Sequence, residues 1–138
     1  MTLPEAVTHE PRTVPLGRRV EVRLVVVLAR LLAGRPPRRI RAVLRRVSHG
    51  ARPARYGEAR AARDAVVAVS LTCAAPEGCL ARSLATAMLC RLHGRWPTWC
   101  VGARMLPPFA AHAWVEAEGV PVGEGVPPDY FRAFFTVP

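Results

Sequence analysis

Apolar positions recur at helical spacing through the first two-thirds of the chain and alternate in its last third. Val22, Val25, Val26, Ala29, Leu32 and Ala33 fall three and four apart, which predicts a helix over residues 18–33 with Gly34 as its stop. Arg35, Pro36 and Pro37 break the chain. A second helix over residues 38–48 puts Ile40, Val43, Leu44 and Val47 on one face, and Arg38, Arg39, Arg41, Arg45 and Arg46 cover the remainder. Residues 50–57 read as a connector. A third helix follows over residues 58–71, apolar at Ala62, Ala65, Val66 and Val69. The run TCAAPEGC, with Pro76 and Gly78, predicts a tight loop. A fourth helix opens at or just before Cys79 on a stripe of Leu80, Leu84, Ala87, Met88 and Leu92, with Gly94 suited to its C-terminal cap.

Beyond Gly94 the period changes. Thr98–Arg104 reads as a strand, and residues 105–109, with Pro107 and Pro108, as a loop. Residues 111–116 alternate, with His112, Trp114 and Glu116 on one face and Ala113 and Val115 on the other. Glu118-Gly119 is a hairpin turn signal, with residues 120–124 as the returning strand. Tyr130, Phe131, Phe134 and Phe135 mark a closing segment that docks on the rest. Helices first and an antiparallel sheet second define an α+β fold. The length of 138 residues suits one domain. The division expected is an irregular arm over residues 1–17 and a single domain over 18–138, with a basic helical part (18–72) and a second part (73–138).

Charge changes the picture because it is uneven. Residues 1–64 hold 15 Arg and 5 acids, and residues 65–138 hold 5 of each, so the whole net charge of +10 lies in the first half. Such asymmetry suggests an acidic partner, substrate or membrane surface for the first half, nucleic acid among the candidates. The longest apolar stretch, residues 20–33, contains Glu21, Arg23 and Arg30 and is too short for a membrane span. The first fifteen residues lack the apolar run of a signal peptide. The expected location is therefore the cytoplasm, with Cys73, Cys79, Cys90 and Cys100 reduced. Cys73 and Cys100 read as core residues. Cys90 and His93 lack the spacing of a zinc pair and suit packing. No phosphate-binding glycine loop is present, so no nucleotide or other cofactor is expected.

Cys79 is the candidate for chemistry. It follows a glycine and opens a helix, where backbone N–H groups and the positive end of the dipole favour a thiolate. Gly78 leaves space beside the sulfur for a substrate carbonyl. Pairing around the Glu118-Gly119 turn brings His112 opposite Glu124 or Gly125, according to whether the loop has three residues or two. Cys79, His112 and Glu124 then satisfy the logic of nucleophile, base and orienting acid.

The run GCLARSLATAMLCRLHGRWPTWCVGARMLPPFAAHAWVEAEGVPVGE resembles the stand-alone leader peptidases of lasso-peptide biosynthesis, the B2 proteins, a branch of the transglutaminase-like cysteine proteases. The resemblance is carried by Cys79, Leu80, Arg82, Ser83 and Leu84, by Val101 to Arg104, by His112 to Glu116, and by an acid a dozen positions on. It implies a papain- or transglutaminase-like core in which the cysteine helix packs on a small antiparallel sheet. It also implies removal of a leader peptide from a ribosomal precursor, with Cys79, His112 and Glu124 catalytic. The acid in such enzymes is usually Asp, so Asp129 is the alternative to Glu124. A small leader-binding protein and an ATP-using cyclase are the implied partners. Trp114 is a candidate wall of the cleft, and Arg41 and Arg45 are candidate contacts for the substrate or its carrier. Two other readings stand beside this one: a basic binding module for nucleic acid or an acidic protein, and an acyltransferase built on the same triad.

Overall fold

The structure, a computed structural model, describes residues 14–105 and 110–138. Most of the expected arm and of the Pro107-Pro108 loop lie outside the described residues, but Leu16 and Gly17 already belong to the first helix. That helix, α1 (Leu16–Ala33), buries Val22, Val25, Val26 and Ala29. Pro37 opens α2 (Pro37–Ser48), a position where its missing N–H costs nothing, and Ile40 and Leu44 are the buried residues of this helix. The arginine-rich remainder stays outside.

The third helix begins earlier and ends earlier than its apolar spacing suggested. α3 (Tyr56–Val69) starts where Glu58 caps the Arg55 N–H at 2.9 Å. The same carboxylate meets Arg52 at 2.6 Å and Arg95 at 3.1 Å, and the hydrogen bonds from Arg52 and from the Arg55 amide hold it down at about 2. Arg52 and Arg95 are themselves neighbours across a two-residue parallel bridge between β1 (Arg52–Pro53) and β2 (Arg95–Trp96). At the other end Ser70 leaves the helical region (φ −114°, ψ 112°) and its Oγ accepts the Cys73 N–H at 3.2 Å, opening a separate turn, α4 (Leu71–Ala74). A serine side chain that captures a backbone amide competes with helix continuation, and here it wins.

A 3₁₀ turn (Pro76–Gly78) feeds directly into α5 (Cys79–Leu92), which begins where the sequence placed it. Its burial is wider than the single stripe expected: every residue from Ala81 to Ala87 is buried, because α1 and α3 pack on one side and the sheet on the other. Gly94, at φ +76°, ends the turn after it.

The sheet has the order β5-β4-β3-β6, all antiparallel, with β3 (Thr98–Arg104), β4 (Ala111–Ala117), β5 (Val120–Pro121) and β6 (Phe131–Val137). The hairpin turn is Glu118-Gly119, with φ of 55° and 76°, as a two-residue connection requires. One expectation needs correction. The returning strand stops at Pro121 instead of continuing to 124, because Gly123 and Gly125 (φ 67° and 66°) turn the chain away. The closing segment is a full strand, β6, on the free side of β3.

The central elements are joined through buried tryptophans. Trp99 Nε1 donates to Ser83 Oγ at 3.0 Å, linking β3 to α5, and Trp96 Nε1 donates to the Val137 carbonyl at 3.1 Å. Between β3 and β6 the register shifts from Val101↔Phe135 to Gly102↔Ala133, so Phe134 has no partner on β3. Gly102 makes the close approach possible, since a Cβ there would sit 1.9 Å from the Arg132 carbonyl oxygen. Gly102→Ala must push the two strands apart and is expected to cost about 1–3 kcal/mol in urea unfolding, with the m-value unchanged.

Candidate active site

The position of Cys79, the candidate nucleophile, is set by the end of α4 and the turn beneath it. Arg82, one turn along α5 and buried, donates from Nη1 to the Cys73 carbonyl at 2.9 Å and to the Ala75 carbonyl at 3.3 Å. This pins the 73–75 loop under the helix start. Gly78 is required for the same packing: a Cβ there would lie 2.1 Å from the Thr72 carbonyl oxygen. The space beside Gly78 is thus filled by backbone, and it is not the open side for a substrate that the sequence suggested.

The base arrives from β4. Odd-numbered residues of β4 turn their backbone groups toward β5, as the Val122 N–H donating to the Val115 carbonyl at 2.9 Å shows. β5 ends after pairing with Glu116 and Ala117, so the edge of β4 at Ala113 is free of it. The Ala113 N–H donates to the Cys79 sulfur, and His112 hydrogen-bonds the same sulfur. The early end of β5 therefore opens a sheet edge to the helix N-terminus, and one strand supplies both an amide and an imidazole.

His112 is buried, and its Nε2 lies 3.3 Å from Glu124 Oε2. With Nε2 committed to the carboxylate, Nδ1 is the nitrogen left for the sulfur. The imidazole also stacks on Phe131 (centroids 4.7 Å apart) and on Trp114 (5.9 Å), which stack on each other at 4.8 Å. Aromatic faces fix the plane of the ring and favour its protonated form. Trp114 is itself buried and donates to Glu116 Oε1 at 3.2 Å. It supports the imidazole from behind; it does not line an open cleft.

Glu124 reaches His112 without a regular strand pair. A two-residue hairpin continued as a ladder would set His112 against Gly125; the left-handed Gly123 brings Glu124 in instead. α3 holds this turn at residues seven apart on one face. The Tyr56 N–H donates to Glu118 Oε2 at 2.9 Å, and the Gly123 N–H donates to the Tyr56 hydroxyl at 3.4 Å. Arg63, also buried, lies so close to Gly123 that a Cβ there would be 2.8 Å from its Nη1. Asp129 is exposed in the turn Pro128–Tyr130 and is not the acid against His112.

The electrostatics follow. Burial pushes the Cys79 thiol up, but the His112 hydrogen bond, the Ala113 amide and the charges of His112 and Arg82 outweigh it, and the thiol lies below its ordinary value. Burial pushes His112 down, and its hydrogen bonds to Cys79 and Glu124 raise it above its ordinary value. Burial pushes Glu124 up, and His112, Arg63 and Arg82 bring it down. The three shifts together favour a thiolate–imidazolium pair held by a carboxylate. Burial sends the other cysteines the opposite way: Cys73 is raised, Cys90 is pushed up to about 11 and Cys100 to about 12. His93 Nε2 lies 2.8 Å from both Glu21 Oε1 and Arg18 Nη1. Among the described residues no cluster of three or more His, Cys, Asp or Glu side chains is placed to hold a metal.

Three contributors were not singled out in the sequence: Arg63, Phe131 and the supporting role of Arg82. Arg63 sits within a helix rich in arginine and alanine, and only its burial distinguishes it from its neighbours. Arg41 and Arg45 are remote from the cysteine, on α2 beside Phe135.

The chain matches the transglutaminase-like superfamily over residues 22–136 and belongs to it. Comparison with curated proteins and with solved structures returns no match. Membership indicates chemistry of the cysteine-peptidase or acyltransferase type, and Cys79 is the cysteine whose thiol lies below its ordinary value. No helix among the described residues is long and apolar enough to cross a membrane.

Alkylation reads the sulfur directly. Iodoacetamide at neutral pH is expected to label Cys79 ahead of Cys73, Cys90 and Cys100, with the site mapped by peptide mass spectrometry. The Cys79 rate should already be near its plateau at pH values where an ordinary thiol is still mostly protonated. In Glu124→Gln the imidazolium loses its partner, so the rise should move to higher pH.

Proposed function

We propose that this protein is a cysteine peptidase that cleaves a ribosomally made precursor peptide, removing its leader in lasso-peptide maturation. The observation that carries the peptidase reading is the Cys79 sulfur within hydrogen-bonding reach of both His112 and the Ala113 amide, with Glu124 behind the imidazole. The lasso-peptide assignment rests on the motif resemblance around Cys79 and His112 and on family membership.

The thiolate of Cys79 attacks the scissile carbonyl, forming the C–S bond while the C=O electrons move to oxygen. Backbone amides around the start of α5 bear on that developing charge. The tetrahedral species collapses, the C–N bond breaks, and the leaving amine takes the proton from His112. Neutral His112 then accepts a proton from water, which attacks the acyl-enzyme and releases the acid and the thiolate. Glu124 holds His112 in register through both halves; burial pushes its carboxyl up, and His112 first, then Arg63 and Arg82, bring it below its ordinary value. A small leader-binding protein that delivers the precursor, and an ATP-using cyclase that consumes the product, complete the reading.

The test is cleavage of the precursor presented with its leader-binding protein, followed by intact mass. Cys79→Ala is expected to abolish cleavage while the circular dichroism spectrum stays unchanged. His112→Ala should lose about 10³-fold or more in kcat/KM, and Glu124→Gln about 10- to 100-fold. Cleavage that survives Cys79→Ala overturns the reading. A product carrying an added amine, in place of the free acid, moves the enzyme to the acyltransferase side of its family.

A further inference from the structure

A second feature of the molecule lies away from the cysteine. A cleft of about 360 Å³ runs between α2 and β6, lined by Pro37, Arg38, Arg41, Ala42, Arg45 and Phe135. Its three arginines lie three and four residues apart, so they form one row along the helix, about 10 Å from first to last. α2 contains no acidic residue to answer them. Arg41 Cζ sits 5.5 Å from the centre of the Phe135 ring, which anchors this guanidinium over the cleft floor.

Arg41 Nε is buried without a hydrogen-bond partner, and it is the single buried side-chain N or O in that condition among the described residues. With no exposed surface, that donor is out of a ligand's reach, so what Arg41 offers the cleft is the charge of its guanidinium beside those of Arg38 and Arg45. The row of charge calls for an anionic ligand. Three cations in line suit several carboxylates along an extended backbone, where alternate side chains recur about every 7 Å. A second copy of this chain would bring the same excess of arginine and be repelled. Single-stranded nucleic acid would want a free aromatic face for its bases, and the Phe135 face is already taken by Arg41.

We propose that the α2–β6 cleft is an exosite for an extended acidic segment of the peptide substrate, its carboxylates paired with Arg38, Arg41 and Arg45. The inference rests on the peptidase reading, in which the substrate is a peptide. β6 connects the two places: Phe135 floors the cleft and Phe131, four residues away, stacks on His112. A segment held in the cleft would therefore lie on the same polypeptide as the scissile bond but several residues from it.

Fluorescence anisotropy with three labelled ten-residue probes tests this on the full chain: alternating Glu-Thr, alternating Gln-Thr, and a deoxythymidine decanucleotide. The Glu-Thr peptide is expected to bind at low ionic strength and to weaken with salt, with the Gln-Thr peptide at least about tenfold weaker. Arg41→Gln, which keeps much of the packing on Phe135, should weaken Glu-Thr binding about tenfold, and the fully exposed change Arg45→Glu should do so even if Arg41→Gln proves poorly folded. Iodoacetamide labelling of Cys79 should be unchanged in both variants, which separates loss of the exosite from loss of the catalytic site. Equal binding of Glu-Thr and Gln-Thr peptides, unchanged Glu-Thr binding in Arg45→Glu, or tighter binding of the decanucleotide that is lost in Arg45→Glu would overturn the proposal. Failure of Cys79 to react, with the acidic peptide still bound, would overturn the peptidase reading and leave the acidic-peptide cleft standing.

Discussion

The site depends on a strand that ends early. β5 pairs with β4 at only two positions before glycines at left-handed φ turn the chain away. A longer β5 would occupy the edge of β4 at Ala113, and the amide that bonds the Cys79 sulfur would be spent on a sheet hydrogen bond. The short strand exposes that amide to the helix start and, by the same turn, swings Glu124 behind His112. One departure from regular pairing thus creates both ends of the relay.

Two buried cations complete the arrangement. Arg82 pins the loop under Cys79 through backbone carbonyls and also bears on the thiolate, while Arg63 bears on Glu124. A carboxylate and a thiolate in one half-buried site would repel each other and push each other toward the neutral forms. An imidazolium between them, with Arg82 bearing on both acids and Arg63 on the carboxylate, favours the charged state of all three. The aromatic pair of Phe131 and Trp114 adds rigidity, so the imidazole is held in plane as well as in charge.

The surfaces divide along the charge asymmetry of the chain. Cys79, His112 and Glu124 lie in the neutral second half, while α2 carries an arginine row with a cleft of its own. An enzyme of this size has little surface on which to build a long substrate groove. A separate cationic anchor point beside β6 would add binding without burdening the reacting centre.

Much of this was legible along the chain. Helical spacing marked α1, α2 and α5, the alternation after Gly94 marked β3 and β4, and a cysteine opening a helix with a histidine on a strand marked two side chains that the fold brings together. These features are local: period, capping and turn chemistry act over a few residues and leave their record in order. Tertiary structure alone decided the end of β5 at Pro121, the pairing of β6 with β3, the choice of Glu124 over Asp129, and the burial of Arg63. Each depends on which distant segment occupies a backbone edge or shields a charge from water, and neither hydrogen-bond competition nor desolvation is written in the spacing of side chains.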